Sequence, residues 1–392
     1  MPAKIFSFFN LILLGIATSF SVSAQSTPIR HIGGTDFVFI VKADGSVSGF
    51  GNEEKDGGLR SGGRGIATPQ PLAFPGKVKQ VESGYDAHFA LLEDGSVVAW
   101  GMNDRGQFGR GPGSSRTPEN PLRSSTPISV PLPKDVVRIA AGGHYAMAIR
   151  SNGEVVAWGP HPGRPQGTYD VSMMTLTGLP PVAMVDAGGE HALALTRTGE
   201  VYAWGRNNNG EAGTTPVDPF IIRKPTRVAG LENVVSIACE GTTNFGFSGA
   251  VKADGTVWMW GSNQSATFGK ASFWGNGGPD DSVVPTPTKV AGITTARTII
   301  AGPGHVVVLL KDSTLRLWGH DGWGQIGVGT SGFYQPSPKK PAIVNVSAVY
   351  TVGNRTFAVK TDGTIWWWGV AASRVGGPYS RDAKVPMEIA QF

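Results

Sequence analysis

A nine-residue phrase recurs seven times along this 392-residue chain: 43–51 (ADGSVSGFG), 93–101 (EDGSVVAWG), 151–159 (SNGEVVAWG), 197–205 (RTGEVYAWG), 253–261 (ADGTVWMWG), 311–319 (KDSTLRLWG) and 361–369 (TDGTIWWWG). The closing glycines lie 50, 58, 46, 56, 58 and 50 residues apart, a period that points to a solenoid or a propeller. In five of the seven phrases Asp-Gly or Asn-Gly supplies the positive φ that a two-residue hairpin turn demands. The β-branched and aromatic residues that follow read as the outgoing strand.

The incoming strand precedes each phrase, as in Ala146-Met147-Ala148-Ile149 and Ala192-Leu193-Ala194-Leu195. Upstream lies another apolar stretch (Val136-Val137-Arg138-Ile139), and downstream a short proline-marked one (Pro225-Thr226-Arg227-Val228). Four short strands per repeat make one propeller blade. The expected fold is therefore all-β, a single seven-bladed propeller over residues 25–392. With 56 glycines, 28 prolines and 16% charged residues, the composition suits a turn-rich protein with a large buried core. The penultimate residue of the phrase is Trp100, Trp158, Trp204, Trp260, Trp318 and Trp368, with Phe50 in the first copy. A flat side chain at one fixed place in every blade is expected to fill the space between splaying sheets. The C-terminal segment Val385-Pro386-Met387-Glu388-Ile389 reads as a proline-marked strand that would complete the first blade and clasp the ring.

Residues 1–24 read as a secretory signal peptide: Lys4, an apolar stretch from Ile5 to Ile16, then the small-residue site Val22-Ser23-Ala24. The run is too short to serve as an anchor, so a secreted or periplasmic chain without a membrane span is expected after cleavage. Cys239 is the only cysteine and reads as a small buried hydrophobe. The net charge of +5 carries no run of more than two basic residues, which argues against a nucleic-acid partner.

The stretches Trp100-Gly101-Met102-Asn103-Asp104-Arg105-Gly106-Gln107-Phe108-Gly109 and Gly188-Gly189-Glu190-His191-Ala192-Leu193-Ala194-Leu195 resemble the signatures of the regulator of chromosome condensation repeat family. Several blades depart from them, with Pro160-His161-Pro162 after Gly159 and Val370-Ala371-Ala372 after Gly369. The resemblance implies a seven-bladed propeller that serves as a protein-binding platform. Its founder's nucleotide exchange on a nuclear GTPase fits poorly with an export signal. Its exported relatives include inhibitory proteins that grip an enzyme with one propeller face.

The turn after the inner strand and the loop after Trp-Gly are expected on one face, because a single antiparallel hairpin separates them. Three consecutive blades would there bring together Tyr85, Asp86, His144 and Glu190, the candidates for acid, base or ligand roles. The bland alternative is polar residues solvating a channel mouth. Candidate binding residues are Trp274, Trp323, Phe273, Tyr85, His144 and Arg355, among loop aromatics that also include Tyr169, Phe220, Phe333 and Tyr334. No nucleophile elbow, phosphate loop, zinc motif or calcium loop occurs, so neither metal nor cofactor is expected. The resulting expectation is a module that binds a macromolecular partner, most readily a protein and alternatively a glycan. A carbohydrate-active or other hydrolytic enzyme on the same face is the second reading, and a guanine-nucleotide exchange factor the third.

Overall fold

The computed structural model describes residues 28–52, 65–113, 119–162, 173–216, 220–241, 246–263, 283–330, 332, 334–371 and 378–390. The expected leader, residues 1–24, lies outside them. Twenty-eight strands form seven antiparallel four-stranded sheets, each with its strands in chain order from the inside outward. The blades span residues 29–72, 78–129, 136–175, 182–227, 234–289, 296–339 and 346–388 and are numbered 1 to 7.

Ring closure differs from the sequence expectation. Ala383–Glu388 pairs with Ile365–Gly369 of its own blade, and blade 1 has its own outer strand, Ile66–Leu72, paired with Val47–Gly51. Pro69 and Pro71 mark that strand as the outer one, so every repeat fills one blade and nothing is left for the C-terminus to complete. Side chains seal the ring instead. Tyr350 Oη donates to the Arg30 carbonyl (3.0 Å), Arg355 Nη1 donates to the Thr35 carbonyl (2.8 Å), and Phe50 packs against Tyr379 at 5.3 Å between ring centroids.

The hairpin turns also differ in detail. Gly45 N–H donates to the Lys42 carbonyl (3.0 Å) and Lys42 N–H to the Ser46 carbonyl (2.9 Å), which makes a three-residue loop: a type I turn closed by one left-handed residue. Only the glycine needs positive φ (84° at Gly45), while the preceding Asp44 carboxylate caps the turn through Ser46 N–H (2.9 Å). Blade 6 has Ser313 at that place, with φ of 62°.

The core consists of layers between blades. Trp158 belongs to a cluster with Phe89, Ala99 and Phe108 of blade 2, and Trp260 to one with Leu193 and Ala203 of blade 4. Each of the six tryptophans is thus fully buried against the preceding blade, and Phe50 packs in the cluster that joins blades 6, 7 and 1. The loop after Trp-Gly cradles the indole of the next blade. Asn103 Oδ1 accepts Phe108 N–H (2.8 Å), Asn207 Oδ1 accepts Ala212 N–H (2.9 Å) and Asp321 Oδ1 accepts Ile326 N–H (3.0 Å). Each loop is thereby fixed so that a carbonyl, at Gln107, Glu211 and Gln325, accepts the Nε1–H of Trp158, Trp260 and Trp368, all at 2.8 Å. Among the described residues, the indole nitrogens of Trp100, Trp204 and Trp318 have no acceptor. These follow blades 1, 3 and 5, whose sequences depart from the signature, blade 5 keeping Asn263 and Phe268-Gly269 but carrying Ala266-Thr267 in place of the Gly-Gln pair.

Two outcomes are expected in urea unfolding. Ser313→Gly should stabilise the protein by about 0.5–1 kcal/mol, since glycine adopts positive φ without steric cost. Trp158→Phe should cost about 1–2 kcal/mol more than Trp204→Phe, because the first orphans the buried Gln107 carbonyl and both lose the same ring volume. Equal losses would show that the cradle contributes nothing.

Candidate functional site

Backbone hydrogen bonds place the inner turns and the Trp-Gly loops on one face. Met102 N–H donates to the Asp86 carbonyl (2.7 Å), Arg206 N–H to Glu190 (2.9 Å), His320 N–H to Gly304 (2.7 Å) and Val370 N–H to Asn354 (3.1 Å).

On this loop face the structure gathers the four residues of blades 2 to 4. Tyr85 and His144 meet edge to face at 5.2 Å, and His144 Nδ1 lies 3.9 Å from Asp86 Oδ2. Glu190 is held by Arg206 at 2.7 Å. Tyr85 lies across two glycines: a Cβ on Gly143 would come 2.8 Å from its ring and one on Gly189 2.5 Å from its hydroxyl. The neighbouring Gly84 and Gly142 answer another constraint, because a Cβ on either would meet a carbonyl oxygen of the next blade at 2.5 Å. Gly142 therefore admits the adjacent blade and Gly143 admits Tyr85, while Gly189 admits both, since a Cβ there would also come 2.6 Å from the Gly241 carbonyl oxygen.

Burial lowers the His144 pKa, the nearby Arg105 guanidinium lowers it further, and Asp86 and Asp104 oppose the shift only in part. Burial, with Glu240 and Glu190 nearby, raises the Tyr85 hydroxyl to about 12. A neutral imidazole 3.9 Å from a carboxylate, beside a glutamate paired with arginine, is not a hydrogen-bonded acid–base relay. Among the described residues no three His, Cys, Asp or Glu side chains are grouped to hold a metal ion.

The other candidates separate. Arg355 is buried and donates to the carbonyls of Thr35, Val370 and Ala371, so it staples blade 7 to blade 1 and is not presented at the surface. It occupies the place of the motif histidine, where Tyr145, His191 and His305 also reach the next blade, to Gly188, Ser248 and Thr356. Trp323 sits at the tip of the blade 6 loop, 45% exposed, with its N–H held by Gln325 Oε1 (2.9 Å). Trp274, Phe273, Tyr169 and Phe333 lie outside the described residues.

Sequence reasoning named the channel mouth but missed the lining of the channel. A cavity of about 1230 Å³ runs along the ring axis, lined by the inner strands. Glu82, Asp186 and Tyr350 occupy equivalent positions in those strands, and Glu240 lies deeper towards the loop face. Burial raises Glu82 and Glu240 to about 7 and Asp186 to about 6. His31, kept neutral by burial at about 4, donates to the Val81 carbonyl (2.8 Å). Its 3.4 Å approach to Glu82 is therefore no ion pair near neutral pH. Gln80 and Ser236 make the same lateral reach, each clasping the backbone of the next blade at Ile139 and Ile299. Aligning the inner strands of the seven repeats is the operation that would have exposed both features.

A carboxylate whose folded pKa is raised binds its proton more tightly in the fold than in the unfolded chain. Its contribution to stability is fully present below the unfolded value near 4.5 and is lost as pH rises through 7. Glu240→Gln removes that loss. Between pH 5 and pH 8 the melting temperature of the variant should climb relative to wild type, with a difference close to zero at pH 5. The buried histidines are common to both proteins and cancel. A difference that is constant with pH would mean that Glu240 is not perturbed by its burial.

Comparison with known proteins agrees with this architecture. Two sequence models of the regulator of chromosome condensation (RCC1) repeat match residues 78–107 and 182–211, and 94–149 and 198–244. The chain is 26% identical over 306 residues to the mitochondrial RCC1 domain-containing protein RUG3 of Arabidopsis thaliana, covering 72% of this chain and 63% of that one. It is 26% identical over 307 residues to protein pim1 of Schizosaccharomyces pombe, covering 74% and 48%. It thus spans less than two thirds of the length of either relative. Prp20p of Saccharomyces cerevisiae, whose structure is described with its binding properties to Gsp1p and histones, superposes with a TM-score of 0.72 at 24% identity, covering 94% of this chain and 87% of that one. With its seven phrases and seven in-phase blades, the chain carries matches to the RCC1 repeat and folds as an RCC1-like seven-bladed propeller.

Proposed function

We propose that this protein is an exported interaction module whose loop face binds a protein partner. The carrying observation is an asymmetry between the faces. Among the described residues, the aromatic side chains that stand out in solvent are Tyr85 (45%), Phe220 (40%) and Trp323 (45%), and all three belong to the loop face. Phe220 is placed there by its carbonyl, which accepts Asn207 N–H from the blade 4 loop (2.8 Å). At the inner strands' opposite ends the exposed apolar residues are the aliphatic Val137 and Val235.

Half-exposed aromatics on hydrogen-bonded loops lose little conformational freedom on binding, and such residues dominate interface energetics. The binding of Prp20p to Gsp1p and histones supports a protein as the partner in preference to a glycan. A catalytic role draws less support, since the His144, Asp86 and Glu190 side chains form no relay. Export rests on the amino-terminal pattern of Lys4, the apolar stretch and Val22-Ser23-Ala24.

The test is affinity capture from periplasmic and secreted extract of the source organism, with the native chain beside Trp323→Ala and Val137→Ala. Trp323→Ala should weaken retention of a partner by about tenfold or more, the scale of a hot-spot truncation, while Val137→Ala leaves it unchanged. The reverse pattern would move the interface to the opposite face.

A further inference from the structure

The loop-face mouth of the channel carries a chemistry at odds with the rest of the chain. The whole sequence has a formal charge of +5. Yet the described turns around the mouth, Thr35-Asp36, Tyr85-Asp86, Gly143-His144, Gly189-Glu190, Pro303-Gly304 and Gly353-Asn354, hold three carboxylates and no basic residue of their own; of the three, Glu190 is paired with Arg206 of the adjoining loop, and Arg105 lies near His144. Beneath them Glu240, Asp186 and Glu82 line the same cavity. Among the cations lining that cavity, Arg30 is paired with Glu93 and, with Lys79, belongs to the opposite end of the inner strands, which leaves Arg138 within the wall. His144 adds no positive charge near neutral pH.

Over this acidic opening lies Tyr85, supported from below by Gly143 and Gly189, steadied at its edge by His144, and nearly half exposed. A tyrosine held in place beside carboxylates is the arrangement that receives an organic cation. The ring attracts positive charge through its quadrupole, and a planar guanidinium both stacks on it and reaches neighbouring carboxylates with its several N–H groups. A partner's anionic group would instead meet Asp36, Asp86 and the buried acids below. An aliphatic group would leave them unanswered.

We propose that the mouth of the channel is the seat for an arginine side chain on the protein partner, stacked on Tyr85 and answered by Asp86 and Glu240. This deepens the loop-face reading and rests on it. The cavity is larger than one guanidinium needs, so an arginine carried on a protruding loop enters without rearrangement of the blades.

The experiment is calorimetric titration of the full chain at pH 8 and low salt with the peptide acetyl-Gly-Arg-Gly-amide, beside its citrulline counterpart, which keeps the planar shape and lacks the charge. At pH 8 Glu240 lies above the value near 7 to which burial raises it. The arginine peptide should bind saturably, and citrulline about tenfold more weakly. Tyr85→Leu and Glu240→Gln should each weaken the arginine peptide by about tenfold, while Tyr85→Phe, which keeps the ring, stays close to wild type. Unchanged melting curves of Tyr85→Leu establish that the fold is intact, and Glu240→Gln tests the seat without touching the ring.

Absence of saturable binding to wild type, or equal binding of arginine and citrulline peptides, overturns the proposal. If the peptide fails while Trp323→Ala still releases the captured partner, the seat falls and the loop-face interface stands. If Trp323→Ala also has no effect, both fall.

Discussion

Every blade of this ring is a wedge, and its two ends impose opposite demands. At the axis, neighbouring inner strands come so close that a single Cβ on Gly84 or Gly142 would strike a carbonyl of the next blade at 2.5 Å. Farther out the sheets splay, and one buried tryptophan per blade fills the gap against the preceding sheet. The hydrophobic effect therefore acts between blades more than within them, and the fold holds because each blade completes its neighbour's core. Lateral hydrogen bonds follow the same logic. Gln80, Ser236, Tyr145, His191, His305 and Arg355 all reach forward into the next blade.

The candidate site is a consequence of that packing. Glycines required by the close approach at the axis leave the turn region of blades 3 and 4 without side chains, and Tyr85 of blade 2 lies down on the vacated floor. Its exposure and its rigidity have one cause. The channel carboxylates share the same origin: inner-strand positions that face neither neighbouring blade face the axis, where the narrow bore desolvates them. Burial, helped at Asp186 by the charge of Glu82 and at Glu240 by that of Asp186, then moves all three into the range near neutrality.

The sequence phrase made the blade count, the hairpin and the role of the tryptophans legible, because those features recur in nearly every copy. What recurs in only some copies was harder to read. Pro69 and Pro71 mark the outer strand of blade 1, but the long interval after Gly51 separates them from the phrase, so the C-terminal strand was assigned to a vacancy that does not exist. Arg355 looked like a loop cation because a histidine stands there in the clearest repeats. Its burial and its bond to the Thr35 carbonyl come from the seam between last and first blades, which no single repeat encodes. Glu82 and Asp186 sit at one alignment position of the inner strands, a signal visible only when those strands are laid over one another.

The signature loop itself alternates in a way that explains its drift. It is intact in blades 2, 4 and 6, where its carbonyl holds the indole of the following blade. Blades 1, 3 and 5 depart from it, blade 5 at the Gly-Gln pair, where it has Ala266-Thr267, and the tryptophans they precede have no acceptor among the described residues. Blade 7 has lost it too, and the residue it would serve is Phe50, which has no N–H to satisfy. A loop that need not present a carbonyl to its neighbour is released from the Asn-x-x-Gly-Gln geometry and is free to change length and composition. Blades 3 and 5 are each flanked by two that keep the signature, whereas blades 7 and 1, both released, meet at the seam of the ring. Loop composition thereby varies from blade to blade on a ring whose packing between blades does not.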